Sequence, residues 1–240
     1  MPSGKRLSWY LAAEEYFAKN VTEEIIFFWK VRPTVIFGRH QVMENEVNLS
    51  YCRAHHIDLV RRKSGGGCVY ADEGNLMTSY LSPSTHSEQV FQHYLQLMAG
   101  TLQQLGIPAV TTEHNDILVN TNPPSTIHHS PSGAPSTKHK ISGNACYTLP
   151  TGTIVHGTML FNVDFDALQQ AITPDHEKLA KHGVESVRQR VANLVEVTDA
   201  WKDIEELQIA LSRQLCNQSV PLPKEAIDKI NEIEKSYDIY

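Results

Sequence analysis

Apolar residues first recur with the spacing of a helix and then form a run typical of a strand. Within residues 7–20, Tyr10, Ala13 and Phe17 lie three and four positions apart, which predicts an amphipathic helix. The next apolar run, at 25–29, is rich in aromatic and β-branched residues and predicts a strand. The chain is therefore expected to open with a helix followed by a strand.

Further apolar runs, separated by glycine or by polar stretches, predict more strands in the middle of the chain. The expected strands cover residues 34–37, 57–60, 117–119, 141–147 and 154–163. Residues 68–70 and 76–81 predict a hairpin, because the connecting residues 71–75 have the composition of a turn.

Helical periodicity marks three later segments. Ser87 is expected to be the N-cap of a long helix whose apolar stripe includes Tyr94 and Leu102. Two more helices are predicted at 203–215 and 223–233. Because the strands are clustered and do not alternate regularly with helices, the pattern favours an α+β fold with a mixed or antiparallel sheet flanked by helices.

Residues 120–139 depart from this pattern. The segment contains four prolines, several serines and threonines and three histidines, but almost no apolar residues. It cannot bury enough apolar surface to order itself, so a mobile polar loop is expected. A metal site formed by His128, His129 and His139 is the alternative, although their spacing is not that of a regular ligand set.

Composition and charge narrow the class of protein. The 240 residues are 41% hydrophobic and 20% charged, which is typical of a folded globular protein. A formal net charge of −6 argues against a broad nucleic-acid surface, although the basic residues 61–63 can together hold one small anion.

No apolar run approaches the ~20 residues that span a membrane. The four cysteines form no CxxC pair, so reduced thiols in a cytoplasmic, uncleaved protein are expected.

The first candidate for chemistry is a basic, glycine-rich segment. Arg62 precedes Ser64, Gly65, Gly66 and Gly67, whose nearly side-chain-free backbone lets a ligand approach N–H donors closely. A guanidinium beside such a loop can pair bidentately with carboxylate or phosphate. The spacing is neither that of a P-loop nor that of a dinucleotide-binding loop. The segment predicts an anion cradle, with a flexible turn as the alternative.

The second candidate is Lys140, which is expected at the start of a strand with Ser142 and Gly143 beside it. A lysine there can neutralise an acyl phosphate, although a solvated lysine is the alternative because lysine is usually exposed. These three residues are the second candidate cluster.

Asn115, Asp116 and His156 interrupt apolar strands, at positions where ligand-facing residues commonly lie. Asp116 can hold magnesium against phosphate oxygens, or it can simply begin a turn. Each of these residues is weak evidence when taken alone.

Six segments, in order and spacing, resemble the lipoate-protein ligase A family, within the superfamily that includes biotin protein ligases and octanoyl transferases. They are VIFGRHQ at 35–41, RRKSGGGCVY at 61–70, NDI at 115–117, KISGNA at 140–145, HGTMLFN at 156–162 and SVRQRVANL at 186–194. The resemblance extends over residues 7–215 and implies the catalytic-domain fold of biotin and lipoate protein ligases. It implies one catalytic domain over residues 1–240.

The resemblance also implies roles for individual residues. Lys140 is the implied catalytic residue, contacting the substrate carboxylate and then the acyl-adenylate. The implied lipoate-binding residues are Arg62, Ser64, Gly65, Gly66, Gly67, Lys140 and His156. The implied ATP- or adenylate-binding residues are Arg62, Gly67, Cys68, Val69, Tyr70, Asn115, Asp116, Lys140, Ser142 and Gly143. Asp116 is the implied magnesium ligand.

The implied reaction activates lipoate with ATP and Mg²⁺ to lipoyl-AMP and then transfers the lipoyl group to a lysine of an acceptor protein. The expected acceptors are lipoyl domains of 2-oxoacid dehydrogenase E2 subunits or the glycine-cleavage H protein. ATP, Mg²⁺ and lipoate are expected as substrates, and no permanently bound cofactor is expected. Neither nucleic acid nor a membrane is an expected partner.

Departures from the family pattern leave alternatives open. The segment between Asp116 and Lys140 is longer than usual, and Cys68 and Cys146 stand where other residues are common. A transferase that carries an octanoyl or lipoyl group on a cysteine thioester is one alternative, but residues 110–114 lack the expected cysteine. A non-catalytic lipoyl-adenylate-binding protein is another, and the presence of a lysine at the catalytic position argues against it.

Many family members continue into a small C-terminal accessory domain that takes part in adenylation. Residues 1–240 are not expected to include it, so a separate chain can be its source. If the accessory domain is needed, this chain is expected to transfer preformed lipoyl-adenylate better than it makes lipoyl-adenylate from lipoate and ATP.

Overall fold

A computed structural model of the chain describes residues 1–113, 115–121, 137–172 and 191–240. Its helices are α1 (Leu7–Asn20), α2 (Met43–Glu46), α3 (Leu49–Ala54), α4 (Ser87–Gln104), α5 (Phe165–Ala171), a 3-10 helix (Leu194–Glu196), α6 (Ile204–Leu215) and α7 (Lys224–Glu234). Its strands are β1 (Ile25–Trp29), β2 (Thr34–Phe37), β3 (Asp58–Arg61), β4 (Val69–Ala71), β5 (Asn75–Ser82), β6 (Ala109–Thr111), β7 (Asp116–Thr121), β8 (Thr137–Leu149) and β9 (Gly152–Leu160).

Six of these strands form one antiparallel sheet, in the order β1-β5-β9-β8-β7-β6. Side chains alternate between the two faces of a strand. Along β9, Val155 and Met159 pack with α4 on one face, while His156 and Thr158 lie on the opposite face and line a cleft. The large sheet therefore has an apolar face under α4 and a partly polar face on the side of α1.

A second sheet contains three strands in the order β3-β2-β4. Strand β2 is parallel to β3 and antiparallel to β4, so this sheet is mixed. A parallel pair needs a crossover connection, and the segment carrying α2 and α3 supplies it. The loop that follows β3 therefore emerges beside the end of β2, next to the cleft.

The predicted hairpin between β4 and β5 is wrong. Both segments are strands, but β4 pairs with β2 in the small sheet and β5 pairs with β1 and β9 in the large one. The Asp72 carboxylate in the connection accepts hydrogen bonds from Gly74 N at 2.8 Å and Asp164 N at 3.0 Å. Gly74 also packs so closely on the Asn162 carbonyl that no Cβ would fit. These tertiary contacts lead the chain from one sheet to the other.

Helices cover both faces of the large sheet. On one face, Leu102 of α4 packs in the same buried cluster as Met159 of β9. On the other face, Leu11 of α1 and Ile230 of α7 pack in a cluster that includes Met77 of β5. Because helices cover both faces, β5 is buried along its entire length.

Several predicted boundaries shift by a few residues. His86 occupies the N-cap position of α4, without a side-chain hydrogen bond, and Ser87 is the first helical residue. Asn120 lies in β7 and both Lys138 and His139 lie in β8, so these parts of the expected loop are strand. Residues 122–136, with His128 and His129 of the alternative metal site, fall outside the described residues.

Two negative findings apply to the described ranges. None of the helices there is long and apolar enough to cross a membrane. In the same part of the chain, no three histidine, cysteine or acidic side chains come together as metal ligands.

Candidate active site

A cleft opens on the α1 face of the large sheet, between α1, β9 and the loop that joins β3 to β4. It contains about 700 Å³ of empty space, part of it open to solvent. Its apolar lining is Leu7, Leu11, Trp29, Ile36 and Met77. Its polar lining is Arg62, Asn115, Lys140, Asn144, His156 and Thr158. The lining matches an amphipathic ligand with an apolar tail and a charged head.

Arg62 holds the glycine loop from the inside. The side chain is 5% exposed, and its Nη2 donates to the carbonyls of Gly65 at 2.8 Å and Gly67 at 2.7 Å. Nη1 donates to the carbonyl of Ile36 at 3.1 Å, and Nε donates to Ser64 Oγ at 3.1 Å. Burial lowers the pKa of Arg62 to about 10, so the guanidinium remains charged at neutral pH. Arg62 shapes the loop and adds positive charge beneath it.

Close packing explains two glycines at this site. Gly66 has a φ of +98°, in the left-handed region that favours glycine. A Cβ on Gly66 would lie 2.9 Å from Nη2 of Arg62, and a Cβ on Gly38 would overlap the Gly66 carbonyl. Within the described chain, the backbone N–H groups of residues 65–67 donate no hydrogen bond. These N–H groups are available to an anion, which supports the predicted cradle.

A β-bulge places Lys140 on the cleft side of β8. Strand β7 pairs Ile117 with Ser142 and then Leu118 with Lys140, so Ile141 is the extra residue. Ile117 and Ile141 are buried in the cluster on the α4 face, and Ser142 lies on that face because it pairs with Ile117. In a regular strand Lys140 would share the face of Ser142, two residues away. The extra residue moves Lys140 to the opposite face.

The Lys140 side chain passes over Gly143 and pairs with the Asp116 carboxylate. Its Nζ lies 2.8 Å from Oδ1 of Asp116. A Cβ on Gly143 would lie 2.7 Å from this Nζ and 2.8 Å from Cε, so only glycine leaves room for the lysine. The side chains of Lys140 and Asp116 are 34% and 27% exposed. Lys140 is therefore open to a ligand, whereas Oδ1 of Asp116 is itself a buried atom whose charge is balanced by Lys140.

A reciprocal pair of amide contacts joins the start of β7 to β8 beside Lys140. Asn115 Nδ2 donates to the Asn144 carbonyl at 2.7 Å, and Asn144 Nδ2 donates to the Asn115 carbonyl at 2.9 Å. Both residues border the cleft, although Asn144 Oδ1 lies on the α4 face with Ser142 Oγ. The pair holds two strand ends together at the polar part of the cleft.

The sequence profile of the lipoyl protein ligase A/B catalytic domain matches residues 7–216. The chain belongs to this family. It is similar to lipoate–protein ligase 1 of Staphylococcus aureus, with 38% identity over 201 residues, or 82% of this chain and 56% of the relative. It is also similar to the probable lipoate-protein ligase A of Mycoplasma genitalium, with 31% identity over 226 residues, or 92% of this chain and 62% of the relative. The chain thus spans less than two thirds of the length of these relatives.

Two solved ligases share the fold of this lipoyl ligase domain. The bi-partite lipoate protein ligase of Thermoplasma acidophilum superposes with a TM-score of 0.77 at 26% identity, covering 95% of this chain and 87% of that one. A lipoate-protein ligase A bound with ATP superposes with a TM-score of 0.74 at 26% identity, covering 95% and 89%. These neighbours and the sheet described above confirm the predicted fold class.

Most residues that the family resemblance implied as ligand contacts meet at the cleft. The implied residues that line it are Arg62, Gly66, Gly67, Cys68, Val69, Asn115, Lys140, Gly143 and His156. Asp116 joins them through its ion pair with Lys140. Ser64 lies beneath the loop at 1% exposure, and the Gly65 carbonyl accepts from Arg62.

Two implied side chains are directed away from the cleft. Ser142 is 2% exposed and donates to Asn144 Oδ1 at 3.2 Å on the α4 face of the sheet. Tyr70 is 3% exposed and packs in the cluster of the small sheet. Neither side chain lines the cleft, because strand alternation places it on the other face.

Glu14 is a residue of the site that sequence reasoning missed. It is 0% exposed, and its Oε2 lies 3.1 Å from Nδ1 of His156. The Nε2 atom of the same imidazole lies 2.7 Å from Ser64 Oγ. The available signal was an acidic residue on the apolar face of α1, three positions after Leu11, because acidic side chains are almost never fully buried without a partner.

The cysteines do not suit a thioester mechanism. Burial raises the pKa of all four thiols, Cys52, Cys68, Cys146 and Cys216. For Cys68, the one in the glycine loop, burial raises the pKa to about 12. The thiolate is the nucleophilic form, and a thiol with this pKa is protonated at neutral pH. The site therefore lacks support for the cysteine-dependent transferase alternative.

Proposed function

We propose that this domain activates lipoate with ATP to lipoyl-AMP and transfers the lipoyl group to a lysine of a lipoyl-accepting protein. The observation that carries the proposal is that Lys140 shares one cleft with an apolar wall and with the glycine loop. Membership of the lipoyl ligase family and relatives named as lipoate-protein ligases support the substrate. A structural relative solved with ATP bound supports the nucleotide.

In the first half-reaction, a carboxylate oxygen of lipoate attacks the α-phosphorus of ATP, and pyrophosphate leaves. The apolar lining accommodates the hydrocarbon chain and the dithiolane ring of lipoate. Lys140 exchanges Asp116 for the substrate carboxylate, while the loop N–H groups and the buried Arg62 charge hold the phosphates. Two anions must approach each other in this step, so the positive charge of these groups lowers the barrier.

Magnesium accompanies ATP, and Asp116 is the residue that fits it. Mg²⁺ is usually held by one or two carboxylates together with phosphate oxygens and water. Asp116 supplies one partly exposed carboxylate beside Lys140. When bound, the metal supplies charge that neutralises the nucleotide phosphates.

In the second half-reaction, the amine of the acceptor lysine attacks the carbonyl carbon of the mixed anhydride. A C–N bond forms, the bond to the phosphate oxygen breaks, AMP leaves, and the amine loses a proton. Lys140 remains beside the carbonyl oxygen and stabilises the negative charge that develops there. The proposed acceptors are lipoyl domains of 2-oxoacid dehydrogenase E2 subunits or the glycine-cleavage H protein, and an E2 lipoyl domain is named with the archaeal relative.

We also propose that an accessory domain takes part in adenylation. The archaeal relative is described as bi-partite, and the chain spans 56% and 62% of two longer relatives. We therefore expect efficient adenylation to need a further domain, whereas transfer from lipoyl-AMP needs only the cleft described above. A cytoplasmic location stays a prediction, supported by four free cysteines.

Mass spectrometry of an apo lipoyl domain tests this function. The acceptor is incubated with the protein, lipoate and Mg²⁺, with and without ATP, and in parallel with preformed lipoyl-AMP. We expect an increase of one lipoyl mass that depends on ATP or lipoyl-AMP and is lost in Lys140→Ala. Lys138→Ala is the matched control, because Lys138 lies on the same strand but is exposed. No modification from lipoyl-AMP would overturn the proposal, and ATP-independent transfer from octanoyl carrier protein would favour the thioester transferase.

A further inference from the structure

Buried hydrogen bonds connect α1 to the glycine loop across the α1 face of the large sheet. Trp29 Nε1 lies 2.8 Å from Ser79 Oγ, and Ser79 Oγ lies 2.6 Å from Glu14 Oε1. Glu14 Oε2 lies 3.1 Å from His156 Nδ1. His156 Nε2 lies 2.7 Å from Ser64 Oγ, which lies 3.1 Å from Arg62 Nε. Every member is at most 8% exposed. We refer to these six residues as the Glu14 network.

The two ends of the Glu14 network determine where its protons lie. Arg62 Nε can only donate, so Ser64 Oγ accepts from it and gives its own proton to His156 Nε2. The imidazole is then neutral with its proton on Nδ1, directed at Glu14. At the other end, an indole N–H can only donate, so Ser79 accepts from Trp29 and donates to Glu14. Any other arrangement leaves a buried donor without an acceptor, which is unfavourable.

The serine, histidine and glutamate have the spacing of a hydrolase triad, but their setting differs. A nucleophilic serine must be open to substrate, with its base within hydrogen-bond reach. Ser64 is 1% exposed and its Oγ accepts from Arg62. Ser64 therefore supports the glycine loop, and the Glu14 carboxylate acts on this loop through the His156 imidazole.

We infer that Glu14 is a positioning residue: it holds His156 as the Nδ1–H tautomer, so that Nε2 fixes Ser64 and with it the glycine loop. The inference rests on the proposed function for its catalytic consequence. Leu7 and Leu11 precede Glu14 on α1 and line the cleft. The network thus ties the wall proposed for the acyl tail to the loop proposed for the phosphates.

Glu14→Gln tests the inference, because glutamine has nearly the same size. Its amide nitrogen cannot accept the proton of Ser79, and its amide oxygen cannot serve both Ser79 and His156 in the present geometry. We expect the nitrogen NMR signals of His156 to change from one Nδ1–H form to a mixture of tautomers. We also expect the KM for ATP to rise about tenfold, the size expected for a lost hydrogen bond to a charged group.

Glu15→Gln is the matched control. It removes the same charge from the next residue of the same helix, but Glu15 contacts Lys19 and Lys63 and not His156. We expect the tautomer of His156 to be unchanged in this variant and the KM for ATP to stay within about twofold. If Glu14→Gln does not fold by circular dichroism, Glu14→Asp repeats the test, because the shorter side chain keeps the charge but moves the carboxylate away from His156 Nδ1.

The NMR readout is independent of ligase activity, since it uses the protein without substrates. A wild-type His156 that carries its proton on Nε2 would overturn the inference, as would an unchanged tautomer together with an unchanged KM in Glu14→Gln. If the wild type shows the Nδ1–H form but does not modify lipoyl domains, the proposed function fails separately. ATP dissociation constants then replace KM, and equal values for wild type and Glu14→Gln would overturn the positioning role.

Discussion

One group of charges lies in the cleft and another lies buried behind it, and the two differ in burial and in the number of partners. Glu14 is 0% exposed and both of its carboxylate oxygens bind side chains of the protein. Lys140 and Asp116 are 34% and 27% exposed and pair with each other. A fully buried charge is strongly destabilising once a partner is removed, whereas an ion pair between partly exposed side chains contributes little to stability. The buried group suits the support of the site, and the exposed pair suits the chemistry.

Lys140→Ala is expected to have the largest effect on activity. Removing one group that stabilises developing negative charge lowers kcat about 10² to 10³-fold. Because the lysine is partly exposed and paired with only one carboxylate, we expect the Tm to change by less than about 2 °C. Single-turnover transfer from lipoyl-AMP and thermal unfolding measure the two quantities. A large drop in Tm with little loss of transfer would show that Lys140 supports the structure and does not take part in the chemistry.

Gly143→Ala is expected to displace the Lys140 side chain without substituting the lysine itself. The new Cβ would lie 2.7 Å from Nζ, so the lysine must leave its path towards Asp116. We expect kcat for transfer to fall about tenfold, because misplacement of a catalytic group by about 1 Å is costly. Gly100→Ala in α4 is the control, since nothing lies within 4 Å of its Cβ; it is expected to retain activity. Equal activity of Gly143→Ala and wild type would contradict the path described for Lys140.

Glu15→Gln is expected to change how the stability of the protein depends on pH. Burial raises the pKa of Glu15, but Lys19 and Lys63 lower it further, so the net pKa lies below its ordinary value. A lowered folded-state pKa stabilises the fold above the unfolded-state pKa, and this contribution is lost as the pH falls through the folded-state pKa. We expect the variant to lose about 1 kcal/mol of unfolding free energy at neutral pH and less in acid.

Urea unfolding of the Glu15→Gln variant and the wild type, across the pH range in which both are folded, measures this difference. Added salt is expected to shrink it as well, since Lys19 and Lys63 are 47% and 38% exposed. A difference that grows towards acid pH would contradict the lowered pKa of Glu15.

Cys68 is expected to show almost no reaction, which is the smallest effect of the set. Its pKa of about 12 keeps the thiol protonated, so iodoacetamide at pH 8 should modify it at least about tenfold more slowly than in the urea-unfolded chain. Peptide mass spectrometry follows the modification. Rapid alkylation in the folded protein would show a reactive thiol in the loop and would support the thioester mechanism.

Local patterns in the sequence were sufficient for most elements and for the candidate residues. The spacing of Tyr10, Ala13 and Phe17 predicted α1 with the bounds that the structure shows, because the helical period is a property of neighbouring residues. The α+β class followed from the clustering of strands. The short α2, α3 and α5 were not predicted, because four to seven residues are too few to show a period.

Long-range contacts decided the remainder. The turn at residues 71–75 has the composition of a hairpin, but Asp72 binds Asp164 N and sends β5 into the other sheet. Ser142 was expected beside Lys140 at the site, and the pairing of β8 with β7 directs its side chain to the α4 face of the sheet. In both cases the deciding partner is distant along the chain.

The sequence by itself determined that the chain carries a lysine, a carboxylate and a glycine loop of the lipoyl ligase family. Only the tertiary structure decided that Lys140 faces the cleft, because a single extra residue in β8 reverses the face, and that bulge exists only against β7. It also decided that Glu14 supports the loop, since its partners Ser79 and His156 lie 65 and 142 residues away. Pairing across such distances is a property of the packed fold, and no local period encodes it.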